Sequence, residues 1–174
     1  MSSLTLFTAA QPMALSFQIQ GRPESKPSVA FRGRQRYNPK RAKMLATRDT
    51  VSNLVSSLPG GDGPVFVRSK YLYVDLVFHF PRPRSHLRRN SNRLVVLRDG
   101  LLQSLKSLIP STKVDLDNLA KFILDAMTGP VYEDDSQIVK LSITKLFDNE
   151  SNCEGRTEVK VIEIHTVAQL TSFV

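Results

Sequence analysis

Cysteine, histidine and tryptophan are scarce in this sequence. Its 174 residues include one cysteine, three histidines and no tryptophan. Cys153 has no second cysteine to pair with, which excludes an internal disulfide and fits a reducing compartment. The sequence has no Cys/His spacing typical of a zinc site and no Gly-rich phosphate loop of the Walker type. Zinc-finger and nucleotide-hydrolase functions therefore have no support.

Long hydrophobic runs are also missing. No apolar segment approaches the ~18 residues that a membrane-spanning helix needs, so we expect no membrane partner. Residues 1–13 lack the basic region of a secretory signal and are expected to form a loose leader. Residues 14–167 are enough for a single domain that buries its core without disulfide or metal staples, and 168–174 are expected to be a C-terminal tail.

Basic residues outnumber acidic ones, 24 to 16, which gives a formal net charge of +8. Residues 22–48 hold nine Lys or Arg against one acid, and residues 81–93 hold five Arg and no acid. Such segments predict contacts with phosphates, although a solvated basic loop is the alternative. The candidate DNA-binding residues are Lys26, Arg32, Arg34, Arg36, Lys40, Arg41, Arg88, Arg89 and Lys113.

One stretch inverts this charge. Residues 115–135 carry six of the sixteen acidic side chains and only one lysine, Lys121. Asp115 and Asp117 are two apart, so at the end of an extended segment their side chains leave the same face. Like charges at ~4 Å cost about 4 kcal/mol per pair at an effective dielectric near 20, a cost that a divalent cation removes. With no His or Cys nearby, Mg²⁺ or Mn²⁺ is favoured over zinc; the alternative is a set of solvated cap and turn residues.

A helix is predicted from 118 to 128, because apolar residues recur at i, i+3, i+4, i+7 and i+8. Gly129 and Pro130 end it. Lys121 lies on the polar face, one turn after Asp117, and Asp117 or Asn118 is the expected N-cap. The apolar residues of the stripe are Leu119, Phe122, Ile123, Ala126 and Met127.

The remaining periodicity predicts an α+β domain with a mixed β-sheet of about four to five strands flanked by helices. Further helices are expected near 40–58 and 93–109. Strands 137–146 and 157–167 are expected to form a hairpin. Because strand 137–146 begins just after Asp134 and Asp135, a third carboxylate is expected to reach the first two from a neighbouring strand. His79 is expected on the face opposite the core, as a surface or inter-subunit residue and not as a metal ligand.

Residues 113–147 resemble the signature of the RusA family of Holliday junction resolvases. The motif Asp-Leu-Asp-Asn-Leu-x-Lys-x-x-x-Asp-Ala begins at Asp115, and Gly-Pro-Val-Tyr-Glu-Asp-Asp-Ser-Gln-Ile begins at Gly129. Lys26-Pro27 and Tyr37-Asn38-Pro39 are similar to family members in a less specific way. Val114 departs from the family, which often has Pro before the first Asp; this changes backbone stiffness and removes no ligand.

The resemblance implies a RusA-like fold and a divalent-metal-dependent endonuclease that resolves four-way junction DNA in recombination and repair. It implies that Asp115, Asp117, Lys121 and Asp135 are catalytic. The three aspartates, with Asp134 as a further ligand, would bind Mg²⁺ or Mn²⁺, and Asp135 is assigned by alignment of Asp-Asp-Ser-Gln with the family. No other small-molecule cofactor is expected.

The resemblance also implies a homodimer with one site per subunit, for which the strand face carrying Tyr71 and Tyr73 is a candidate surface. The expected location is intracellular, where DNA is present. The alternative function is a non-catalytic, structure-selective DNA-binding protein of the same fold. Such a protein need not keep three carboxylates and the lysine, and all four are present. A single-stranded nucleic-acid-binding module would need exposed aromatic platforms, but the core claims most of the four Tyr and nine Phe.

Overall fold

The computed structural model describes residues 5–7, 13–26, 30–32, 35–37, 39–58, 63–89, 95–97, 108–110, 114–148 and 154–172. The helices are α1 (Arg41–Ser56), α2 (Leu116–Met127) and α3 (Val167–Ser172). The strands are β1 (Thr5–Phe7), β2 (Ala14–Gln20), β3 (Ala30–Arg32), β4 (Gln35–Tyr37), β5 (Tyr71–Phe80), β6 (Leu87–Arg89), β7 (Val95–Leu97), β8 (Ile138–Phe147) and β9 (Arg156–Ile164).

Five strands form one mixed sheet in the order β1-β2-β9-β5-β8. β5 and β8 are parallel, whereas the other neighbours are antiparallel. Two small hairpins, β3 with β4 and β6 with β7, lie outside this sheet. The predicted α+β architecture with a mixed sheet is therefore confirmed.

The core lies on the face of the sheet that α1 and α2 cover. Strand β5 contributes every second residue to it, namely Leu72, Val74, Leu76, Phe78 and Phe80, all buried. The apolar stripe of α2 packs on these residues, because its period of three and four places Leu119, Phe122, Ile123 and Met127 on one side. Both helices predicted here, near 40–58 and 118–128, are confirmed as α1 and α2.

The α2 helix is the crossover between two parallel strands. β5 precedes it and β8 follows it in the chain, so α2 runs antiparallel to both. Its first residues lie near the carboxyl ends of the strands, where Lys145 Nζ donates to Val114 O at 3.0 Å. At its last residues Gly129 turns the chain with a φ of 99°, and Phe66 N, just before β5, donates to Val131 O at 2.9 Å.

The predicted hairpin between strands 137–146 and 157–167 is wrong. β9 pairs with β2 and β5, and β5 separates it from β8. The alternation of each strand identified it as half-buried but contained no information on its neighbour. The long strand β5 lies between them and has a hydrogen-bonded partner strand on both sides.

Other expectations also change. Val95–Leu97 forms β7, so the start of the predicted helix 93–109 is wrong; two adjacent β-branched valines favour a strand. Residues 98–107 lie outside the described part of the chain. His79 is buried: it lies opposite Arg156 of the adjacent strand and its Nε2 is 3.1 Å from Glu158 Oε1, so the predicted surface position is wrong. The alternative, an inter-subunit position, stays a prediction. Thr5–Phe7, within the segment expected to be a loose leader, pairs with β2. The domain limits 14–167 stay a prediction.

Within the ranges that the structure describes, no helix is long and apolar enough to cross a membrane.

Candidate active site

The start of α2 presents two carboxylates. Asp115 is the N-cap residue, with extended backbone angles (φ −69°, ψ 137°), and Asp117 lies in the first turn. The predicted N-cap, Asp117 or Asn118, was thus wrong by two or three residues. No side chain caps the helix here, and Asn118 Nδ2 instead lies 3.5 Å from Asp115 Oδ2. Both carboxylates benefit from the positive end of the helix dipole while remaining exposed to solvent.

Lys121 lies beside this pair. Its Nζ is 3.0 Å from Asp117 Oδ2, across one helical turn. The hydrogen bond from Lys121 holds the pKa of Asp117 below its ordinary value of 3.8. The ion pair holds Lys121 next to the Asp117 carboxylate at the solvent-exposed start of α2. The predicted proximity of Asp117 and Lys121 is confirmed.

The second acidic group is a tight turn before β8. Residues Asp135–Gln137 form one turn of 3-10 helix, and Ser136 N donates to Asp134 Oδ1 at 2.9 Å. The hydrogen bond from the Ser136 hydroxyl, followed by this backbone bond, holds the pKa of Asp134 below 3.8. Arg68 Nη2 lies 3.9 Å from Asp134 Oδ2. Asp135, the next residue, is exposed to solvent.

Gln137 fixes this turn, a role that the periodicity analysis did not identify. The side chain is only 3% exposed. Its Oε1 accepts from Glu133 N at 2.9 Å and Asp134 N at 3.1 Å, and its Nε2 donates to Val67 O at 2.8 Å. The spacing Asp-x-x-Gln is that of a capping box and could have indicated this role.

The two acidic groups lie at opposite ends of the crossover. The start of α2 is anchored at Lys145, whereas Asp135 lies three residues before Ile138, the first residue of β8. Along β8, roughly 23 Å of strand separates Ile138 from Lys145, at about 3.3 Å per residue. Among the described residues, no three Asp, Glu, His or Cys side chains form a group that could hold one metal ion. Within one chain the structure thus brings Asp115, Asp117 and Lys121 together, but does not bring Asp134 or Asp135 to them.

The chemistry of both groups suits a hard divalent cation. Each offers carboxylate oxygens, and neither contains an imidazole or a thiol, which is the ligand type that Mg²⁺ and Mn²⁺ prefer. Two carboxylates from one group leave most of the coordination positions of such an ion to water. The full set of three or four ligands exists only if the two groups meet.

Several candidate DNA-binding residues have acidic partners. Lys26 Nζ lies 2.6 Å from Asp125 Oδ2, and its backbone N–H donates to Asn118 O at 2.8 Å, which ties this segment to α2. Lys40 Nζ lies 2.7 Å from Glu24 Oε2, and Glu24 also pairs with Lys43. Although burial raises the pKa of Glu24, these two lysines lower it to a net value below 4.5. Lys26 and Lys40 thus serve the packing of α1 and α2 against the loop after β2.

The other predicted DNA-binding residues are less defined. Arg41 begins α1 and is exposed. Arg32, Arg36, Arg88 and Arg89 lie in the two small hairpins, and their side chains are outside the described part of the structure. Arg34 and Lys113 lie outside the described residues altogether.

Residues 19–162, most of the chain, match the family described as endodeoxyribonuclease RusA. The chain belongs to the RusA family. The match begins in β2 and ends in β9, so it includes both acidic groups, at the start of α2 and in the turn before β8. The chain is also similar to a Bacillus subtilis (strain 168) protein described as uncharacterized protein YqaN, with 32% identity over 91 residues. That similarity covers 52% of this chain, and the chain spans just over half, 56%, of this relative's length.

Proposed function

We propose that the protein is a divalent-metal-dependent endonuclease that resolves four-way junction DNA in recombination and repair. The observation that carries the proposal is the start of α2. There a RusA-family chain holds two exposed carboxylates beside a lysine whose ammonium group is 3.0 Å from one of them. Two ionised carboxylates next to the ammonium group of a lysine suit a phosphodiester substrate. The carboxylates are metal ligands, and the ammonium group is a hydrogen-bond donor for the phosphate oxygens.

The roles follow from the chemistry of each residue. Asp115, Asp117 and Asp135 would hold Mg²⁺ or Mn²⁺, with Asp134 as a further ligand. An ion held there would lower the pKa of a water molecule and polarise the scissile phosphate. Lys121 donates to the developing negative charge or orients the attacking water. Its ion pair with Asp117 already orients the ammonium group in the free protein, so the Lys121 side chain loses little conformational freedom when the reaction occurs.

We propose further that two copies of the chain form the working enzyme. The distance between the two acidic groups within one chain supports a site shared between copies. In a two-fold symmetric dimer, each chain gives the start of α2 to one site and the turn at Asp135 to the other. Such a dimer has two equivalent sites, which is what symmetric cutting of two junction strands requires.

Affinity for the junction would come from the basic segments. With a net charge of +8, most of that binding is with phosphates and independent of sequence, so it falls steeply with salt. Arg41 and the arginines of the two small hairpins are the candidates for these contacts. Lys26 and Lys40 contribute less, since each already has an acidic partner. A compartment that contains DNA is the expected location.

A non-catalytic junction-binding protein is the second candidate, because the described residues of a single chain hold no ready metal site. A complementation assay separates the two. Asp117→Asn and Asp135→Asn are each expected to abolish junction cleavage in Mg²⁺. In a mixed dimer one shared site loses both aspartates and the other keeps both, so an equal mixture regains roughly a quarter of the wild-type sites, seen as nicking of a plasmid-borne cruciform.

The other outcomes are equally informative. If both single variants and their mixture are inactive while the wild type cuts, each site lies within one chain and the shared site is wrong. If the wild type cuts no junction in Mg²⁺ or Mn²⁺ but binds it in a gel-shift assay, the protein is the binding module. Asp49→Asn, an exposed substitution on α1, is the control for effects of added amides.

A further inference from the structure

One lysine interrupts an apolar row of strand β8. Every second residue from 141 to 147 is the register partner of a buried core residue of β5, and these residues are Leu141, Ile143, Lys145 and Phe147. Lys145, opposite Phe78, is the only charged residue of the row. An ammonium group on a core-facing position costs free energy unless it reaches water or a hydrogen-bond partner. The presence of Lys145 in this row is therefore not explained by packing.

The ammonium group of Lys145 reaches the start of α2. Its Nζ donates to Val114 O at 3.0 Å. Asp115 O accepts the first hydrogen bond of the helix, from Leu119 N at 3.2 Å, whereas Val114 precedes the helix and its carbonyl lies outside the helical ladder. The side chain of Lys145 thus extends from the core face of β8 to the residue before the first carboxylate of the site.

This ammonium group has hydrogen-bonding capacity left. It carries three N–H donors, and Val114 O takes one of them. Among the described residues, no carboxylate forms an ion pair with Lys145, whereas Lys121, the other lysine at this end of α2, is paired with Asp117. Two donors and the positive charge of Lys145 are therefore unmatched within the described part of the chain.

The charge of Lys145 changes the balance at the start of α2. Asp115 and Asp117 are two acidic groups, so Lys121 alone would leave a net negative charge that repels a phosphodiester. With Lys145 added, the four side chains together are neutral. A divalent cation held by the carboxylates would then make this end of α2 positive, which favours the binding of a phosphate.

We infer that Lys145 is a second lysine of the site and contacts the phosphate of the bound DNA. This inference rests on the proposed function, because it takes a phosphodiester at Asp115 and Asp117 as the ligand. One donor of the ammonium group holds the Val114 carbonyl, which fixes the group beside the N-cap residue. The other two donate to a non-bridging oxygen of the phosphate. Lys121 reaches the ligand from α2, and Lys145 reaches it from β8.

The salt dependence of junction binding tests this contact. Lys145→Met keeps an unbranched side chain in the apolar row and removes the charge. In Ca²⁺ the variant should bind a four-way junction roughly tenfold more weakly than the wild type, and the slope of the logarithm of the association constant against the logarithm of the salt concentration should become shallower by about 0.9, the value for one phosphate contact. Lys145→Arg should restore affinity and slope, because a guanidinium group carries the same charge and further donors.

Lys160→Met is the matched control for the loss of one positive charge. Lys160 is an exposed residue of β9 and lies opposite Asp75, on the face of the sheet away from α1 and α2. Its affinity and its salt slope should match those of the wild type. If Lys145→Met loses affinity with an unchanged slope, Lys145 only holds the Val114 carbonyl, and the inference is wrong.

Acetylation of the wild-type protein gives a measurement that needs no variant. Lysines are acetylated with and without excess four-way junction in Ca²⁺, and the modified peptides are quantified by mass spectrometry. Junction DNA should slow the acetylation of Lys145 roughly fivefold or more, because an ammonium group that donates to a phosphate is held in its unreactive, protonated form. Lys160 should react equally in both samples. If Lys145→Met lowers the melting temperature, this comparison decides, and equal rates at Lys145 overturn the inference.

The outcomes separate this contact from the nuclease assignment. If the wild type cuts junctions while Lys145→Met binds them with wild-type affinity and slope, the nuclease stands and Lys145 is a structural residue. If the wild type binds junctions but cuts none in Mg²⁺ or Mn²⁺, and Lys145→Met still shows the shallower slope, the nuclease is disproved and the phosphate contact stands.

Discussion

Lys121 Nζ and Asp117 Oδ2 are 3.0 Å apart, on adjacent turns of the helix that begins the site. Both side chains are more than half exposed, so the ion pair contributes little to folding. Its effect is on the two groups themselves: it lowers the pKa of Asp117 and places the Lys121 ammonium group beside that carboxylate.

Lys121→Met should reduce junction cleavage by roughly a hundredfold or more, as expected when a donor to the transition state is lost. The free energy of unfolding should change by less than about 0.5 kcal/mol, because the residue is on the polar face of α2. The pKa of Asp117, measured by NMR titration of its carboxyl carbon, should rise towards 3.8. Lys160→Met, an exposed substitution on β9, is the control. Unchanged cleavage would make Lys121 an ordinary surface residue.

Asp117→Asn separates DNA binding from chemistry. Binding of a four-way junction in Ca²⁺ should hold or tighten, since a negative charge beside a polyanion is removed. Cleavage in Mg²⁺ should be lost, because an amide is a poorer ligand than a carboxylate. Stability should fall by no more than about 1 kcal/mol, the size of a first-turn interaction with the helix dipole.

The control for Asp117→Asn is Asp49→Asn, an exposed acid on α1, which should leave both assays unchanged. Wild-type cleavage rates in Asp117→Asn would remove this residue from the site.

Gln137→Ala should cost about 3 kcal/mol of unfolding free energy. The substitution removes a buried side chain that joins Glu133 N and Asp134 N to Val67 O, and some of these polar groups remain without a partner away from water. Gln169→Ala is a matched control, because Gln169 Oε1 also accepts two backbone N–H bonds, from His165 and Thr166, but at the surface.

For Gln169→Ala, chemical denaturation should show that the free energy of unfolding falls by about 1 kcal/mol or less, since water replaces the lost hydrogen bonds. Equal losses in the two glutamine variants would show that Gln137 does not hold the acidic turn more firmly than a surface cap does.

Tyr132→Phe should lower stability by about 1 kcal/mol at pH 8, since the Tyr132 hydroxyl donates to Leu124 O at 2.9 Å. Burial raises the pKa of Tyr132 above its ordinary value of 10.0. Above pH 10 the unfolded chain therefore releases this proton while the folded chain keeps it, so wild-type stability falls as pH rises. The difference between wild type and Tyr132→Phe should shrink from pH 8 to pH 11, measured by urea denaturation. A constant difference would contradict a buried hydroxyl.

Several local features could be predicted from the sequence because they depend on residues close together in the chain. The apolar stripe and Gly129 determined α2 within two residues at each end, and the i, i+4 spacing determined that Lys121 would lie beside Asp117. The alternation in β5 determined which of its side chains lie in the main core, but not that Tyr73 and His79 on the other face are buried as well. The long signature across both acidic groups was also sufficient to indicate the RusA family.

The order of strands was decided only in three dimensions. Periodicity shows that a strand is half-buried but not which strand covers it, so the sequence suggested a hairpin of β8 with β9. The structure instead pairs β8 with β5 in parallel. The burial of His79 and the contacts of Gln137 with Val67 follow from that arrangement, because their partners are far away in the sequence.

For the two acidic groups as well, the sequence determined the chemistry and the tertiary structure determined the position. The sequence determined that Asp115, Asp117 and Asp135 are carboxylates in one short motif, and their ligand chemistry follows from that alone. Only the tertiary structure decided that a crossover helix lies between them, so that the start of α2 and the turn before β8 lie at opposite ends of the same strand. The physical reason is that a parallel connection must return the chain to the end of the sheet where the preceding strand began.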